Sequence, residues 1–344
     1  MFSVTKYQFY LLFTSSFVLV GLLTPIIRRI AITHKVIDKP NSHHKSHKKP
    51  VPYLGGVAII VGIIFVTYVA ILGSPLTSET FWLATTVLIP AVLIGLVGLI
   101  DDIRNLPPWP RFLAQTLVAG FSTIVIIIND KFGSPTGSKI FDIFISIFWI
   151  IGLCNAINLF DNIDGGAAGS VAICTLTSGI FAIQSGQFSI AALSFVTSGA
   201  TLGFLIWNKN PARIYMGDAG SLFLGFLVAV ILLRLKFEVE SNLLSLLIPI
   251  FLVALPIIDT AVVVITRLNR GISPFMGGQD HLSHRLLKLG IRKQTTVATL
   301  WSLSTVFSLF ALGIYFFQSY SIFIAIIGIS LFFILLILFI RLKI

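Results

Sequence analysis

Eleven long apolar runs divide the chain and constrain its fold more than any other feature. A helix that spans a bilayer needs roughly 20 apolar residues. The sequence is 56% hydrophobic and 11% charged, whereas soluble domains carry roughly 25% charged residues. Open strands would leave backbone groups without hydrogen bonds in lipid, so we predict an all-α polytopic membrane bundle of about eleven transmembrane helices in a single domain, 1–344. The runs are 7–27, 53–72, 81–100, 112–128, 140–158, 169–184, 188–207, 221–235, 243–264, 296–316 and 322–340.

The positions of lysine and arginine orient this bundle. With the N-terminus outside, 19 of the 24 Lys and Arg residues fall in cytoplasmic segments and 5 fall outside, as the positive-inside rule requires. We therefore predict a cytoplasmic C-terminus and a cytoplasmic loop over 266–295. The net charge of +11 does not indicate nucleic-acid binding, because the bases are spread over loops between spans. The first run is too long for a signal-peptide core and lacks a cleavage pattern, so we expect a retained span.

Acidic residues are scarce, 13 in 344, yet five of them lie at the ends of apolar runs. They are Asp101, Asp102, Asp161, Asp164 and Asp218. A charge near hydrocarbon costs several kcal/mol unless it is paired, hydrated or bound to a cation. We therefore predict that these carboxylates form one polar, enzyme-like site that holds a cation and a charged substrate.

The pair Asp101-Asp102 directly follows the third apolar run. The carboxyl end of a helix disfavours anions through its dipole, so two adjacent acids there indicate compensation by a cation or by a ligand rich in donors. The structural alternative is a solvated helix end that stops before Pro107-Pro108.

A polar stripe leads out of the fifth apolar run. On a helix, Asn155, Asn158 and Asp161 are spaced by three and share a face, as do Asp161 and Asp164, before a glycine turn. Carboxylate and amide oxygens are the ligands that Mg²⁺ prefers. The alternative is hydrogen bonding between helices by the asparagines, followed by a simple turn.

Two of the acids have clear structural alternatives. Asp218, in the sequence Met-Gly-Asp-Ala-Gly-Ser, precedes an apolar run and could cap that helix. Asp259 lies inside the ninth run. An intramembrane acid either serves function or pairs with a neighbouring helix, and the sequence leaves both interpretations open.

A histidine-rich segment follows Gly277-Gly278. His281, His284 and Arg285 fall on one face of a helix, and imidazolium and guanidinium groups donate to phosphate. The segment therefore indicates an anion site. Zinc is the rival ligand, but the sequence offers no third soft ligand nearby.

Several catalytic signatures are missing from the sequence. It contains no G-x-x-x-x-G-K-[ST] loop, no H-E-x-x-H and no G-x-S-x-G. The sequence therefore gives no support to ATP-driven transport, zinc proteolysis or serine hydrolysis.

The ordered set of motifs resembles a known family, the polyprenyl-phosphate N-acetylhexosamine-1-phosphate transferases (glycosyltransferase family 4). The resemblance extends over nearly the whole chain, from Asp38-Lys39-Pro40 and Pro52-Tyr53-Leu54-Gly55-Gly56 to His284-Arg285. Its specific part is the order Asp-Asp, Asn-x-x-Asn-x-x-Asp-x-x-Asp-Gly, Met-Gly-Asp-x-Gly-Ser and Asp-His-x-x-His-Arg. Two departures stand out. Ser283 replaces the middle histidine that is common in the family, and the stretch 49–56 lacks the Thr-Pro-Thr-Met-Gly-Gly of lipid I translocases.

What the resemblance implies is transfer of an N-acetylhexosamine 1-phosphate from a UDP-sugar to undecaprenyl phosphate, with release of UMP. The implied donor is UDP-N-acetylglucosamine and the cofactor Mg²⁺, with Mn²⁺ as the alternative. The implied metal ligands are Asn158 and Asp218. The implied catalytic residues are Asp101, Asp102, Asp161 and Asp164, and the implied substrate-binding residues are Asn155, Arg213, His281, His284 and Arg285.

The same resemblance implies a multi-pass protein of the inner (plasma) membrane that works on its cytoplasmic face, in cell-wall, lipopolysaccharide or teichoic-acid synthesis. Its partners would be the UDP-sugar, the polyprenyl phosphate and membrane lipid, with no nucleic acid, and a homodimer stays open.

Three rival functions remain from the sequence. The first is phospho-MurNAc-pentapeptide translocase, which makes lipid I. The second is a cation-coupled secondary transporter, which would carry its acids near the midplane of the membrane. The third is a structural membrane protein with a basic face for anionic lipids, and it leaves the clustered aspartates unexplained.

Overall fold

The computed structural model describes residues 6–38, 50–73, 78–129, 131–133, 136–239, 241–274 and 277–342. Lys39, Pro40 and Lys49 of the predicted motifs lie outside these residues. Within the described ranges the chain forms thirteen α-helices and one antiparallel strand pair. The fold class predicted from the apolar runs is therefore confirmed.

The thirteen helices of the described residues are numbered along the chain. Their bounds are α1 Lys6–Thr33, α2 Gly55–Leu72, α3 Ser78–Arg104, α4 Pro108–Ile128, α5 Lys139–Phe160, α6 Gly166–Gln184, α7 Phe188–Asn208, α8 Gly217–Arg234, α9 Asn242–Leu252, α10 Ala254–Leu268, α11 Leu282–Lys288, α12 Lys293–Phe316 and α13 Ser321–Arg341. The strands β1 Ile37–Asp38 and β2 Val51–Pro52 pair before α2, and a 3₁₀ turn, Gln318–Tyr320, precedes α13.

Ten described helices are long and apolar enough to cross a membrane, and the bent pair α9 and α10 makes an eleventh span. Each of the eleven predicted runs coincides with one of these spans. The ninth run, predicted as one helix over 243–264, is instead broken, with α9 and α10 inclined by 76°. Pro256 has no N–H for the carbonyl of Leu252, the last residue of α9, so the helix breaks there.

Helix α8 is the innermost span. Every residue from Ala219 to Arg234 is buried, which agrees with a helix that is apolar on all sides. Helices α2, α3 and α5 pack around it. The first turn of α8 carries Asp218, so this packing brings the ends of the neighbouring helices to that aspartate.

Glycines allow α2 and α3 to approach the first turn of α8 closely. A Cβ atom at Gly98 of α3 would lie 2.3 Å from the carbonyl oxygen of Asp218, and one at Gly56 of α2 would lie 2.2 Å from the nitrogen of Gly220. Small residues at such crossings let helix backbones touch in membranes.

The segment before α2 is tied to the segment before α8. Tyr53 and Tyr215 form a parallel β-bridge, and Gly55 N–H donates to the Tyr215 carbonyl at 3.0 Å. The backbone N–H of Gly56 donates to the Met216 carbonyl at 2.8 Å. These bonds fix the chain around the start of α8.

We predict that Gly98→Ala lowers the thermal stability of the protein, because the added methyl group meets backbone atoms of α8 that cannot yield. Overpacking of this kind costs about 1–3 kcal/mol. The matched control is Gly120→Ala in α4, where a Cβ atom meets open space. Thermal unfolding of both variants in detergent checks the prediction, and equal melting temperatures would contradict it.

Candidate active site

A polar cavity of about 450 Å³ lies at the start of α8. Six carboxylates line it, those of Asp38, Asp101, Asp102, Asp161, Asp164 and Asp218. The other lining residues are Tyr53, Asn105, Asn158, Asn162, Ile163, Asn208, Tyr215, Gly217, Gly278 and His284. The structure thus brings together the five acids that the sequence singled out.

The cavity carries a large excess of negative charge. Among the described residues, no lysine or arginine lines it, and His284 is its one basic side chain. Carboxylates at close range repel one another in a partly buried site. The arrangement therefore favours a cation, bound either by the protein alone or together with the ligand.

Asp101 is bound within the protein. Its Oδ1 accepts a hydrogen bond from the Leu106 backbone N–H at 2.6 Å, and its Oδ2 lies 2.7 Å from Nη1 of Arg111. Arg111 stands in the first turn of α4 and is not among the residues that line the cavity. This carboxylate therefore holds the connection from α3 to α4 in place.

Asp218 has a partner on each carboxylate oxygen. Its Oδ1 accepts from Nδ2 of Asn158 at 2.8 Å, and its Oδ2 accepts from Nη1 of Arg111 at 2.9 Å. Asn158 also donates to Ser221 Oγ at 2.9 Å. The two predicted metal ligands, Asn158 and Asp218, are thus in direct contact.

Asp102 caps helix α8 from the neighbouring helix. Its two oxygens accept from the backbone N–H groups of Asp218 at 2.8 Å and Ala219 at 3.0 Å. Free N–H groups and the positive end of the dipole make a helix start favourable for a carboxylate. The cap therefore comes from Asp102 of α3, whereas the sequence alternative assigned capping to Asp218.

Asp161 and Asp164 lie in a turn, not on a helical face. Helix α5 ends at Phe160, and Gly165 adopts a left-handed φ of 79° that begins α6. The predicted stripe therefore stays helical through Asn158 but not through Asp164. Asp164 Oδ2 accepts from Asn210 Nδ2 at 2.8 Å and from the Ala212 N–H at 3.1 Å.

Asp161 has the least satisfied carboxylate of the cavity. No hydrogen bond to it is found within the described ranges. Burial raises its pKa well above the ordinary value, and the charges of Asp218, Asp164 and Asp102 raise it further. A buried carboxylate that accepts no hydrogen bond is available to bind a cation.

The histidine segment is held by an intramembrane acid. Asp259 of α10 is fully buried, with Oδ2 2.7 Å from Nδ1 of His281 and Oδ1 accepting from the Leu282 N–H at 2.7 Å. Of the two interpretations of Asp259, the structure shows pairing. His281 is turned into this pair and does not line the cavity.

His284 is the member of the segment that lines the cavity. Its Nδ1 atom is buried without a hydrogen-bond partner. Burial lowers its pKa to about 4, and neighbouring His281 contributes to the shift. The ring is therefore neutral at physiological pH and can donate and accept one hydrogen bond.

Three other predicted substrate-binding residues also lie away from the cavity. Arg285 donates to the carbonyls of Phe339 and Leu342, each at 2.6 Å, and so holds the end of α13. The guanidinium of Arg213 lies 5.5 Å from the ring centre of Trp207. Asn155 bonds Gln115 of α4 at 2.7 Å. The predicted anion clamp of histidine and arginine is thus reduced to His284.

Several residues in or next to the cavity are not predicted from the sequence. Asn162 and Tyr215 line the cavity and stand inside the motifs, but no pattern in the sequence points to either residue. Ser283, which departs from the family pattern, donates to Asn162 Oδ1 and joins the histidine segment to the turn after α5. Arg111 gave no signal, because its partner Asp218 is 107 residues away in the chain.

The donor chemistry fits a divalent metal ion, although no ready-made ligand shell is present. Within the described ranges, no three Asp, Glu, His or Cys side chains are arranged as metal ligands. Most carboxylate oxygens are occupied by Arg111, by Asn158 or by backbone N–H groups. The free carboxylate of Asp161 beside Asp218 and Asn158 nevertheless supplies the hard oxygen donors that Mg²⁺ and Mn²⁺ accept.

Comparison with known proteins agrees with the resemblance that the motifs indicate. The sequence profile of glycosyl transferase family 4 matches residues 84–236. This span includes the five acids from Asp101 to Asp218 but excludes Asp38 and His284.

Individual proteins match over more of the chain. A Bacillus subtilis (strain 168) protein named "Probable undecaprenyl-phosphate N-acetylglucosaminyl 1-phosphate transferase" is 34% identical over 305 residues, 87% of this chain and 83% of that protein. The phospho-N-acetylmuramoyl-pentapeptide-transferase of Geobacillus sp. (strain WCH70) is 30% identical over 323 residues, 88% of this chain and 94% of that protein. The protein of the same name from Staphylococcus carnosus (strain TM300) is 31% identical and covers 66% of this chain and 75% of its own.

We predict opposite stability changes for two cavity aspartates. Asp102→Ala removes both acceptors from the start of α8 and should cost about 0.5–2 kcal/mol, the usual loss for a helix cap. Asp161→Asn removes a charge that no donor satisfies and should raise the melting temperature. Thermal unfolding in detergent without divalent metal measures both changes, and a stabilising Asp102→Ala would refute the capping role.

We predict that His284 contributes to acid destabilisation. Its pKa is about 4 when folded and 6.5 when unfolded, so the unfolded chain binds the additional proton between these values. Stability is therefore unaffected by His284 above pH 6.5 and falls as the pH drops toward 4. The melting temperature of His284→Gln should decline less steeply than that of the unsubstituted protein over this window. Parallel curves would show that His284 is solvated.

Proposed function

Because the chain belongs to glycosyl transferase family 4, we propose that it transfers an N-acetylhexosamine 1-phosphate from a UDP-sugar to undecaprenyl phosphate and releases UMP. UDP-N-acetylglucosamine is the proposed donor. The observation that carries the proposal is the acid-lined cavity at the ends of α3, α5 and α8, in a chain 34% identical to a transferase of that name over 87% of its length.

Both proposed substrates are anions, whereas the cavity walls are acidic. A phosphate and a diphosphate would be repelled by six carboxylates unless a cation cancels the charge. We propose Mg²⁺, with Mn²⁺ as a substitute, held by Asp218 and Asn158 next to Asp161. When bound, the ion would neutralise the diphosphate and stabilise the departing UMP.

The reaction needs little acid–base chemistry from the protein. An oxygen of the acceptor phosphate forms a bond to the sugar-linked phosphorus, and the bond from that phosphorus to the UMP oxygen breaks with its electron pair. A phosphate monoester has a second pKa of about 6 and is mostly dianionic at neutral pH. Asp101 and Asp102, whose oxygens are bound by Arg111 and by backbone N–H groups, therefore act through positioning rather than as general bases.

His284 is the proposed substrate-binding residue from the histidine segment. Its unpartnered Nδ1 and its neutral ring suit a hydrogen bond to a phosphoryl or sugar oxygen. Asp259 positions the segment through His281 and Leu282, and Ser283 positions it through Asn162.

We propose that the cavity opens to the cytoplasmic side of the plasma membrane, within one transmembrane domain, because 19 of 24 basic residues lie in segments on that side. Cysteine labelling in intact cells tests this orientation. Ser273→Cys, in segment 266–295, should resist a membrane-impermeant thiol reagent, and Lys131→Cys, in the loop before α5, should react. The reverse pattern would invert the topology.

Lipid I synthesis is the second candidate, because relatives with that activity in their names cover as much of the chain as the first. The UDP-sugar that serves as the donor substrate distinguishes the two candidate reactions. The transporter alternative loses support, because the acids gather at helix ends and Asp259 is engaged by His281 and Leu282.

The function is tested with purified protein, undecaprenyl phosphate, Mg²⁺ and a panel of donors, with UMP release as the readout. UDP-N-acetylglucosamine should support turnover, EDTA should abolish it, and Mg²⁺ or Mn²⁺ should restore it. Turnover only with UDP-MurNAc-pentapeptide would establish the second candidate. Turnover with no donor on the panel, in a stably folded preparation, would reject both.

We predict that Asp218→Asn lowers kcat by about 10²–10³, the usual loss for one well-placed electrostatic group, because the amide is a poorer cation ligand. Asn155→Ala is the control, since Asn155 lies on the same helix as Asn158 but bonds Gln115 outside the cavity. It should retain kcat despite a lower melting temperature. A folded Asp218→Asn with an unchanged kcat would remove Asp218 from the cation site.

A further inference from the structure

Arg111 bridges two carboxylates that belong to different helices. Its Nη1 atom lies 2.7 Å from Asp101 Oδ2 at the end of α3 and 2.9 Å from Asp218 Oδ2 at the start of α8. The side chain is 25% exposed, so water screens these contacts only in part. One nitrogen thus serves both acids.

This guanidinium is the local counter-charge of the acidic cavity. The six lining carboxylates include Asp218, whose other oxygen is already bound by Asn158. Arg111 is the cation in direct contact with Asp101 and Asp218 within the described ranges. It offsets the mutual repulsion of these acids where they meet.

A divalent cation that binds Asp218 must therefore share or displace the guanidinium. The carboxylate has no oxygen without a partner, because Arg111 holds Oδ2 and Asn158 holds Oδ1. Two cations within a few ångströms of each other repel strongly in a partly buried site. Asp101 gives Arg111 a second anchor, so it can leave Asp218 without becoming unpaired.

We propose that Arg111 is an intrinsic counter-ion that competes with the divalent cation for Asp218. It stabilises the metal-free cavity and weakens metal binding in the absence of substrate. The inference rests on the proposed function only for the identity of the metal, since the competition itself needs no turnover.

The experiment measures Mn²⁺ binding to detergent-purified protein without substrate, by the loss of the free Mn²⁺ signal in electron paramagnetic resonance. Arg111→Met keeps the length of the side chain and removes its charge. It should bind Mn²⁺ about tenfold more tightly, because the competing cation is gone. Arg111→Lys keeps a cation and should stay close to the unsubstituted protein.

The matched control is Arg104→Met. Arg104 is exposed at the end of α3, two residues after Asp102, and has no ion pair within the described ranges. Its removal changes the net charge equally but leaves the Asp218 contact intact. Equal tightening in both methionine variants would show a general field effect and would overturn the proposal.

Thermal unfolding supplies a second readout. Without metal, Arg111→Met should melt at a lower temperature, and saturating Mn²⁺ should raise its melting temperature more than that of the unsubstituted protein. Unchanged or weaker Mn²⁺ binding by folded Arg111→Met overturns the proposal. If that variant does not fold, Arg111→Gln replaces it, because the amide keeps a hydrogen-bond donor for Asp101 or Asp218 and removes the charge.

The outcomes separate the two proposals. Sugar-phosphate transfer with normal Mn²⁺ binding by Arg111→Met leaves the function standing and removes the counter-ion role. Failure of both the unsubstituted protein and folded Arg111→Met to bind Mn²⁺ rejects the proposed metal site together with its competitor. Tighter binding without any transferase activity supports the counter-ion and rejects the substrate assignment.

Discussion

The amino end of α8 is the point on which the site depends. An aspartate pair at the carboxyl end of α3 is unfavourable for its own helix, but Asp102 lies against the unpaired N–H groups of α8 and is stabilised there. The close crossing at Gly98 makes this contact feasible. The dipole at the amino end of α8 thus compensates for a carboxylate that is unfavourable at the carboxyl end of α3.

The remaining carboxylates are satisfied to different degrees, and the difference separates their roles. Asp101, Asp102 and Asp164 accept hydrogen bonds that hold connecting segments together. Asp161 accepts none in the described part of the chain, and burial raises its pKa. Like charges that repel one another in the ligand-free protein are typical of functional sites. Such sites lower the stability of the fold but bind a ligand of opposite charge.

The sequence predicts the eleven spans and the gathering of five acids, because apolar length and the cost of charge in lipid are local, strong signals. It does not predict the break between α9 and α10, since proline is tolerated within many membrane helices. Nor does it predict the contacts of Arg111 with Asp218 or of Asp259 with His281, which depend on how distant helices pack. Arg285 has a suitable charge for an anion, but its buried position commits it to the carbonyls of α13.

Gly98 and Asp102 lie one turn apart on α3, and both contact the start of α8. One residue sets the distance to α8, while the other bonds the backbone N–H groups that follow Gly217. A bulkier residue at Gly98 would separate Asp102 from its donors, so the two positions depend on each other. Substitutions at these two positions and at the Gly-Asp of α8 therefore act on one shared contact, and their effects on stability should not add.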